Sequence, residues 1–179
     1  KKSYFKKKGN LISTARAGNV IGGGDWSEHR IIPDIIESWK NKKILNVRNP
    51  NSIRPWQHVL DPTFGYMYLV YKMYLNKKYS GNYNFGPNIN NNIKVINIIH
   101  HLQKNLKNFD YNIIKLSSNL KEDKYLNLNS TKAKNFLGFK NKLPIKKSLD
   151  MTAKWYRNFY DGNKAEILCQ SDLNLYLNE

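Results

Sequence analysis

The stretch Thr14-Ala15-Arg16-Ala17-Gly18-Asn19-Val20-Ile21-Gly22-Gly23-Gly24-Asp25-Trp26 constrains the fold of this chain most. Leu11-Ile12-Ser13-Thr14 is apolar and β-branched and follows a Lys-rich turn, so a strand is predicted over Leu11–Val20. The strand runs into three consecutive glycines. Such a run lets the backbone take positive φ or lie close to another group. Arg16 and Asn19, a cation and an amide, stand between strand and glycines. A strand that ends in polar groups and a glycine turn has the form of a ligand-binding strand end in an open α/β sheet. A strand followed by a plain surface loop fits the same residues.

The rest of the chain alternates helices and strands, which argues an α/β fold. Ile31–Trp39 reads as a helix with Pro33 in its first turn, where a missing N–H does no harm. The free amides of that turn suit an anion. Ile44–Val47 is a short strand, and Asn49-Pro50-Asn51-Ser52 a turn. Asp61-Pro62 opens a helix to about Leu75, with Asp61 as N-cap and Phe64, Met67, Tyr68, Tyr71 and Leu75 as its packing stripe. Tyr79–Pro87 reads as a turn, a short strand and a stop. Asn88–Asn92 is a loop, and Val95, Ile98, Ile99 and Leu102 form one face of the next helix. Tyr111–Leu116 is strand-like and Asn119–Lys124 a polar loop. Ser130 is expected to cap a helix over Thr131–Leu137 that Gly138 ends. Helices over Ile145–Tyr160 and Glu166–Asn178 complete the chain.

With 179 residues the chain is one domain or the end of a larger one. It starts at Lys1 without a methionine, so a fragment is expected. No apolar run approaches the ~18 residues of a membrane span, and the first residues given do not show a charged, then apolar, then small-residue pattern. The single cysteine, Cys169, excludes an internal disulfide and fits a cytoplasmic protein. The formal charge of +17 raises nucleic-acid binding as a reading. The cations are mostly lysines spread along the whole length, without a dense stripe of Arg and aromatics, so no nucleic-acid partner is expected. The positive field favours an anionic small molecule. The histidines show no ligand-like spacing with Cys169 or acids, so no metal is expected.

A second stretch, Arg54-Pro55-Trp56-Gln57-His58-Val59-Leu60-Asp61, gives the first one a context. Together with Arg16-Ala17-Gly18-Asn19-Val20-Ile21-Gly22 it resembles the extended short-chain dehydrogenase/reductase family of nucleotide-sugar enzymes. Those carry R-x-x-N-V-Y-G-P and R-D-[FW]-[IV]-[HY]-V-x-D segments. The forms Gly-Gly-Gly-Asp-Trp and Arg-Pro-Trp-Gln-His look most like the dehydratase branch that acts on CDP-glucose. Asn82-Tyr83-Asn84-Phe85-Gly86-Pro87 and Ser130-Thr131-Lys132-Ala133-Lys134 continue the resemblance. It covers nearly the whole chain and implies the C-terminal part of an extended Rossmann-type enzyme. On that basis 1–25 and 54–87 belong to the Rossmann part, and 26–53 and 88–179 to a small substrate-binding part. The implied cofactor is NAD and the implied substrate a nucleotide sugar, CDP-glucose, with a homodimer for the full-length enzyme.

The resemblance also assigns roles. Arg54 grips the substrate diphosphate, since a guanidinium matches phosphate oxygens bidentately. Asn19 hydrogen-bonds the substrate at the strand end, and Asn84 lies near the diphosphate. Arg30 and Ile31 open the helix whose amides meet it. Val47, with Arg48, lies near the base, and Glu122 near the ribose. Arg16 and Ala17 adjoin the cofactor. Two marks depart from the family. Asn129 stands in place of an Asp, and Lys121–Lys124 in place of an Arg or His. The family's Gly-x-x-Gly-x-x-Gly turn is not in the sequence. Tyr68 and Lys72 have the spacing of the catalytic Tyr-x-x-x-Lys pair but lie after Arg54, whereas the family's pair precedes the first strand. Tyr68 is therefore expected to pack in its helix stripe. Lys1–Lys8 resembles the end of the helix that carries the true pair, so the chain by itself is expected to be inactive. Another nucleotide-sugar epimerase or dehydratase and a non-catalytic binding domain are the competing readings.

Overall fold

A computed structural model describes residues 11–87, 92–107, 109–114 and 126–179. The expected helix tail over Lys1–Lys8 and the Asn119–Lys124 loop with Glu122 lie outside these residues.

In place of one strand over Leu11–Val20 the chain makes two, β1 (Thr14–Ala17) and β2 (Asn19–Ile21), separated by Gly18. The halves pair with different neighbours. β1 runs parallel to β5 (Asn82–Phe85), with Arg16 opposite Asn84. β2 runs parallel to β4 (Ile53–His58), with Asn19 opposite Trp56. At the break the backbone of β4 comes so close that a Cβ on residue 18 would lie 2.7 Å from the Pro55 carbonyl oxygen. Only glycine fits there. β4 also pairs antiparallel with β6 (Asn92–Lys94), and β3 (Leu45–Val47) pairs parallel with β7 (Tyr111–Ile113).

Among the described residues five α-helices accompany these strands: α1 (Ile31–Asn41), α2 (Leu60–Leu75), α3 (Val95–Leu106), α4 (Ile145–Tyr160) and α5 (Ala165–Leu177). α4 packs on α3 and across β2 and β4. The main core lies between them, with Ile35, Ile98, Ile99, Leu102, Leu149 and Tyr156 buried. A second core joins Leu69 and Met73 of α2 to Tyr83 and Phe85 of β5. α2 approaches β5 closely through Gly65, where a Cβ would lie 2.5 Å from the Phe85 ring.

Three expectations fail locally. First, α2 buries Gly65, Leu69 and Met73, four residues apart; of the expected stripe Phe64 packs inward against Tyr176, while Met67 is 62% and Tyr71 55% exposed. Tyr68 is on the outer face too and is not a packing residue. Its ring lies under the Lys72 ammonium, 5.2 Å from Nζ. The helix is apolar on both sides, so its 3.6-residue period did not single out the inner one. Second, α2 begins at Leu60 with no side-chain cap. Asp61 is buried and instead accepts hydrogen bonds from the Lys142 N–H (2.9 Å) and the Tyr176 hydroxyl (3.2 Å). Burial pushes its carboxyl up, and these donors pull it back. Third, the Thr131 N–H is taken by Asn129 Oδ1 at 2.9 Å, one residue before the expected Ser130 cap. A π-helical turn, Ala133–Leu137, follows and ends at Gly138 with φ +79°. Among the described residues no helix is long and apolar enough to cross a membrane.

Candidate functional site

A cleft of about 920 Å³ opens between β2, the start of α1 and the end of β3. Five of the residues assigned by resemblance line it: Asn19, Arg30, Ile31, Val47 and Arg54. They come from four separate elements or their flanks. β2 and β4 lie side by side and bring Asn19 next to the Arg54 strand. Trp56, two residues along β4 from Arg54 and therefore on the same face, forms part of the wall.

Arg54 is 8% exposed, and its Nη1 donates to the Ile53 carbonyl at 2.9 Å. A charge this deep in a cleft wall adds a strong positive field to it. The start of α1 adds a second positive element. Arg30 at its N-cap makes no side-chain cap bond, and the first helical residues line the cleft. Unfilled amides and the positive end of the helix dipole together suit a phosphate. On the rim, Arg30 lies 3.6 Å from Asp25, both sides of the pair being partly exposed.

The glycine run holds this rim against α4 and does not touch the cleft. A Cβ on Gly23 would lie 2.1 Å from the Trp155 ring, and one on Gly22 2.8 Å from the Val59 side chain. Gly24 has φ +82°, the only positive value among the three. The loop beyond is fixed by Tyr156. Its hydroxyl donates to the Asp25 carbonyl at 2.6 Å and accepts from the Asp25 N–H at 2.9 Å. Burial pushes the Tyr156 hydroxyl up to about 12. The glycines therefore serve close packing between a strand end and α4, and the ligand-facing groups are their neighbours on either side.

The remaining expected site residues are elsewhere. Arg16 and Ala17 lie on β1, outside the cleft, opposite Asn84 and Phe85. The Asn84 amide donates to the Asn129 carbonyl at 3.0 Å. His58 is buried, and burial holds its imidazole down at about 4. Its Nδ1 accepts a long bond from the Leu60 N–H at 3.4 Å, and its Nε2 is buried with no partner among the described residues. A neutral histidine inside the core agrees with a packing role. Several cleft residues were given no role by the sequence reading, among them His29, Asp34, Ser52 and Trp56. Asp34, one turn beyond Arg30 on α1, lines the cleft. The four-residue spacing from Arg30 was the available signal.

The chain is 34% identical over 175 residues to the CDP-glucose 4,6-dehydratase of Salmonella typhimurium, a match that covers 97% of this chain and 48% of that enzyme. Similarity points to the NAD-dependent epimerase/dehydratase family. No protein-family model matches the sequence. Solved structures of such enzymes share the fold. A UDP-glucuronic acid 4-epimerase from Bacillus cereus, in complex with UDP-glucuronic acid and NAD, superposes with a TM-score of 0.71 at 19% identity. That match covers 88% of this chain and 48% of the epimerase. A dTDP-glucose 4,6-dehydratase from Bacillus anthracis, in complex with NAD, gives a TM-score of 0.68 at 20% identity, covering 89% of this chain and 49% of the dehydratase. The fold is the α/β, Rossmann-like fold of these epimerases and dehydratases. The chain spans about half the length of these relatives.

Proposed function

We propose that this chain is the substrate-binding half of an NAD-dependent nucleotide-sugar 4,6-dehydratase that acts on CDP-glucose. The observation that carries the reading is the convergence of Asn19, Arg30, Ile31, Val47 and Arg54 on one cleft with a buried guanidinium and an uncapped helix start. Residues 26–53 and 126–179, with the rest of 88–179, form the substrate-binding part in this reading, and 1–25 with 54–87 adjoin the cofactor. NAD, when bound, would supply the hydride-transfer chemistry of the dehydration. Arg54 and the α1 amides hold the diphosphate, and Asn19 hydrogen-bonds the sugar side of the substrate. Val47 and Arg48 border the base. Arg16 and Ala17, at the end of β1, lie on the cofactor side. Grip on the unreactive diphosphate fixes the hexose and so contributes to both affinity and positioning. The full-length enzyme is a homodimer in this reading.

A second reading, a nucleotide-sugar 4-epimerase, has the shared fold of the Bacillus cereus epimerase in its favour. Product analysis on the chain joined to an NAD-binding half separates the two: a 4-keto-6-deoxy sugar and water mark the dehydratase. The same preparation tests Arg54. A charge-assisted bond to phosphate contributes about 1.5–3 kcal/mol, so Arg54→Ala lowers kcat/KM about 10- to 150-fold. Arg54→Lys recovers part of this, because the ammonium keeps the charge and loses the fork. Wild-type kinetics in a folded Arg54→Ala enzyme would remove the proposed diphosphate site. The 179-residue chain by itself, given NAD and CDP-glucose, is expected to form no product, because its sequence carries neither the glycine-rich cofactor turn nor a correctly placed Tyr-x-x-x-Lys. Turnover by the purified chain would refute that.

A further inference from the structure

A second hollow, of about 770 Å³, lies outside the cleft and shares no lining residue with it. One wall is the outer face of β5. Side chains alternate along a strand, so Tyr83 and Phe85 enter the second core, while Asn82 and Asn84 stand on the opposite face and line the hollow. Asn84, placed near the diphosphate by resemblance, is therefore here and not in the cleft. The facing wall is the turn that carries Asn129, Lys132, Asn135 and Phe136. These groups are held in place. The Asn84 amide donates to the Asn129 carbonyl at 3.0 Å, and Asn82 Oδ1 accepts from the Thr14 hydroxyl at 2.9 Å. The Lys132 ammonium lies over the buried Tyr83 ring, 4.5 Å from its centre. Glycine at position 81 makes room for it, because a Cβ there would come within 3.0 Å of Nζ. Lys78 is the second cation, 5.2 Å from the Tyr79 ring, which packs on Phe136 at 5.2 Å.

Among the described residues no carboxylate lines this hollow. Two ammonium groups without an acid between them attract an anion, and the formal charge of +17 adds to the same field. A divalent cation would need the oxygen-rich, acidic lining that is missing here. The amides on β5 and on the facing turn supply both donors and acceptors, which suits hydroxyl groups. The Phe136 ring, 45% exposed, offers an apolar face beside them. The volume is that of a small-molecule site. We infer that this hollow binds a phosphorylated sugar, with the phosphate on Lys132 and Lys78, the hydroxyls on the Asn84 and Asn135 amides, and the C–H face of the ring on Phe136. The site is separate from the cleft, so it does not depend on the nucleotide-sugar reading given above.

The test is calorimetric titration of the 179-residue chain with glucose 1-phosphate, with inorganic phosphate and with glucose. Each is titrated into wild type and into Arg54→Ala, which removes the diphosphate grip of the cleft. Glucose 1-phosphate is expected to bind in both, about tenfold more tightly than inorganic phosphate or glucose, since it uses both halves of the site. Lys132→Ala should weaken it about tenfold or more, the scale of one charge-assisted contact, and Lys132→Arg should recover part of the loss. Gly81→Ala should weaken it as well. Its methyl displaces the flexible end of Lys132 and leaves the other partners of the ligand in place. Binding that Arg54→Ala abolishes and Lys132→Ala spares would put the sugar phosphate in the cleft and overturn the inference. Inorganic phosphate bound as tightly as glucose 1-phosphate would overturn the choice of a sugar. No binding of glucose 1-phosphate at millimolar concentration would remove the site. Should Lys132→Ala fail to fold, Gly81→Ala and Lys78→Ala carry the same comparison.

Discussion

Removing one oxygen from Tyr156 should loosen the rim of the cleft. The Tyr156 ring is fully buried beneath α4's contact with the strand end, and Phe fills the same space. Tyr156→Phe therefore leaves packing alone and deletes two hydrogen bonds, one to the Asp25 carbonyl and one from its N–H. Each contributes about 0.5–1.5 kcal/mol net, and the abandoned backbone groups lose part of their solvation as well. Asp25 is only half-buried, so water offsets some of that penalty. The expected cost is about 1–3 kcal/mol. With a urea m-value of about 2–3 kcal/mol/M, the midpoint falls by ~0.3–1.5 M with m unchanged. A second signature comes from pH. The hydroxyl's pKa rises from 10 in the unfolded chain to about 12 in the fold. Below pH 10 both states are protonated and stability is flat. Between pH 10 and 12 the unfolded chain ionises first, and wild type loses up to about 2.7 kcal/mol. The variant lacks this loss, so the gap between the two proteins narrows above pH 10. A midpoint within 0.2 M of wild type at pH 8 (about a tenth of the m-value scale), together with an unchanged alkaline slope, would refute the role of this hydroxyl.

Gly23→Ala places a methyl 2.1 Å from the Trp155 ring, which is itself buried and stacked on Phe159 at 5.2 Å. Overpacking of this kind costs about 1–3 kcal/mol or more, so the melting temperature should drop by several degrees, and an unchanged melt would contradict the packing described. His58, held neutral to about pH 4 by burial, makes stability pH-dependent on the acid side. Above pH 6.5 the imidazole is neutral in both states. As pH falls from 6.5 to 4 the unfolded chain takes up the proton first, and up to about 3 kcal/mol is lost. His58→Asn should flatten that decline in urea midpoints between pH 7 and 4.5, and an identical slope in both proteins would show that His58 does not carry it.

Local pattern was enough for much of this chain. Ile145–Tyr160 is a helix over the residues expected, and Leu45–Val47, Asn82–Phe85 and the Ile98/Ile99/Leu102 face also follow their periodicity. These elements obey short-range rules of spacing and end signals, which the sequence displays directly. The Arg16–Gly22 and Arg54–Asp61 stretches also identified, through resemblance, five residues that meet in one cleft. Tertiary structure decided the rest. Gly18 looked like part of a continuous strand, and the approach of Pro55 divided that strand between two partners. Asp61 had the place of an N-cap, and Lys142 and Tyr176, far along the chain, drew it into the core. α2 had two apolar faces of similar strength, and the ring of Phe85 selected the one with Gly65. The glycine run advertised a ligand, but its contacts are with Trp155 and Val59. Asp34 was signalled only by its four-residue spacing from Arg30, and its place in the cleft depends on the strands that face α1. In each case the deciding atom lies on another element, brought near by packing, and no pattern along one segment records the distance to it.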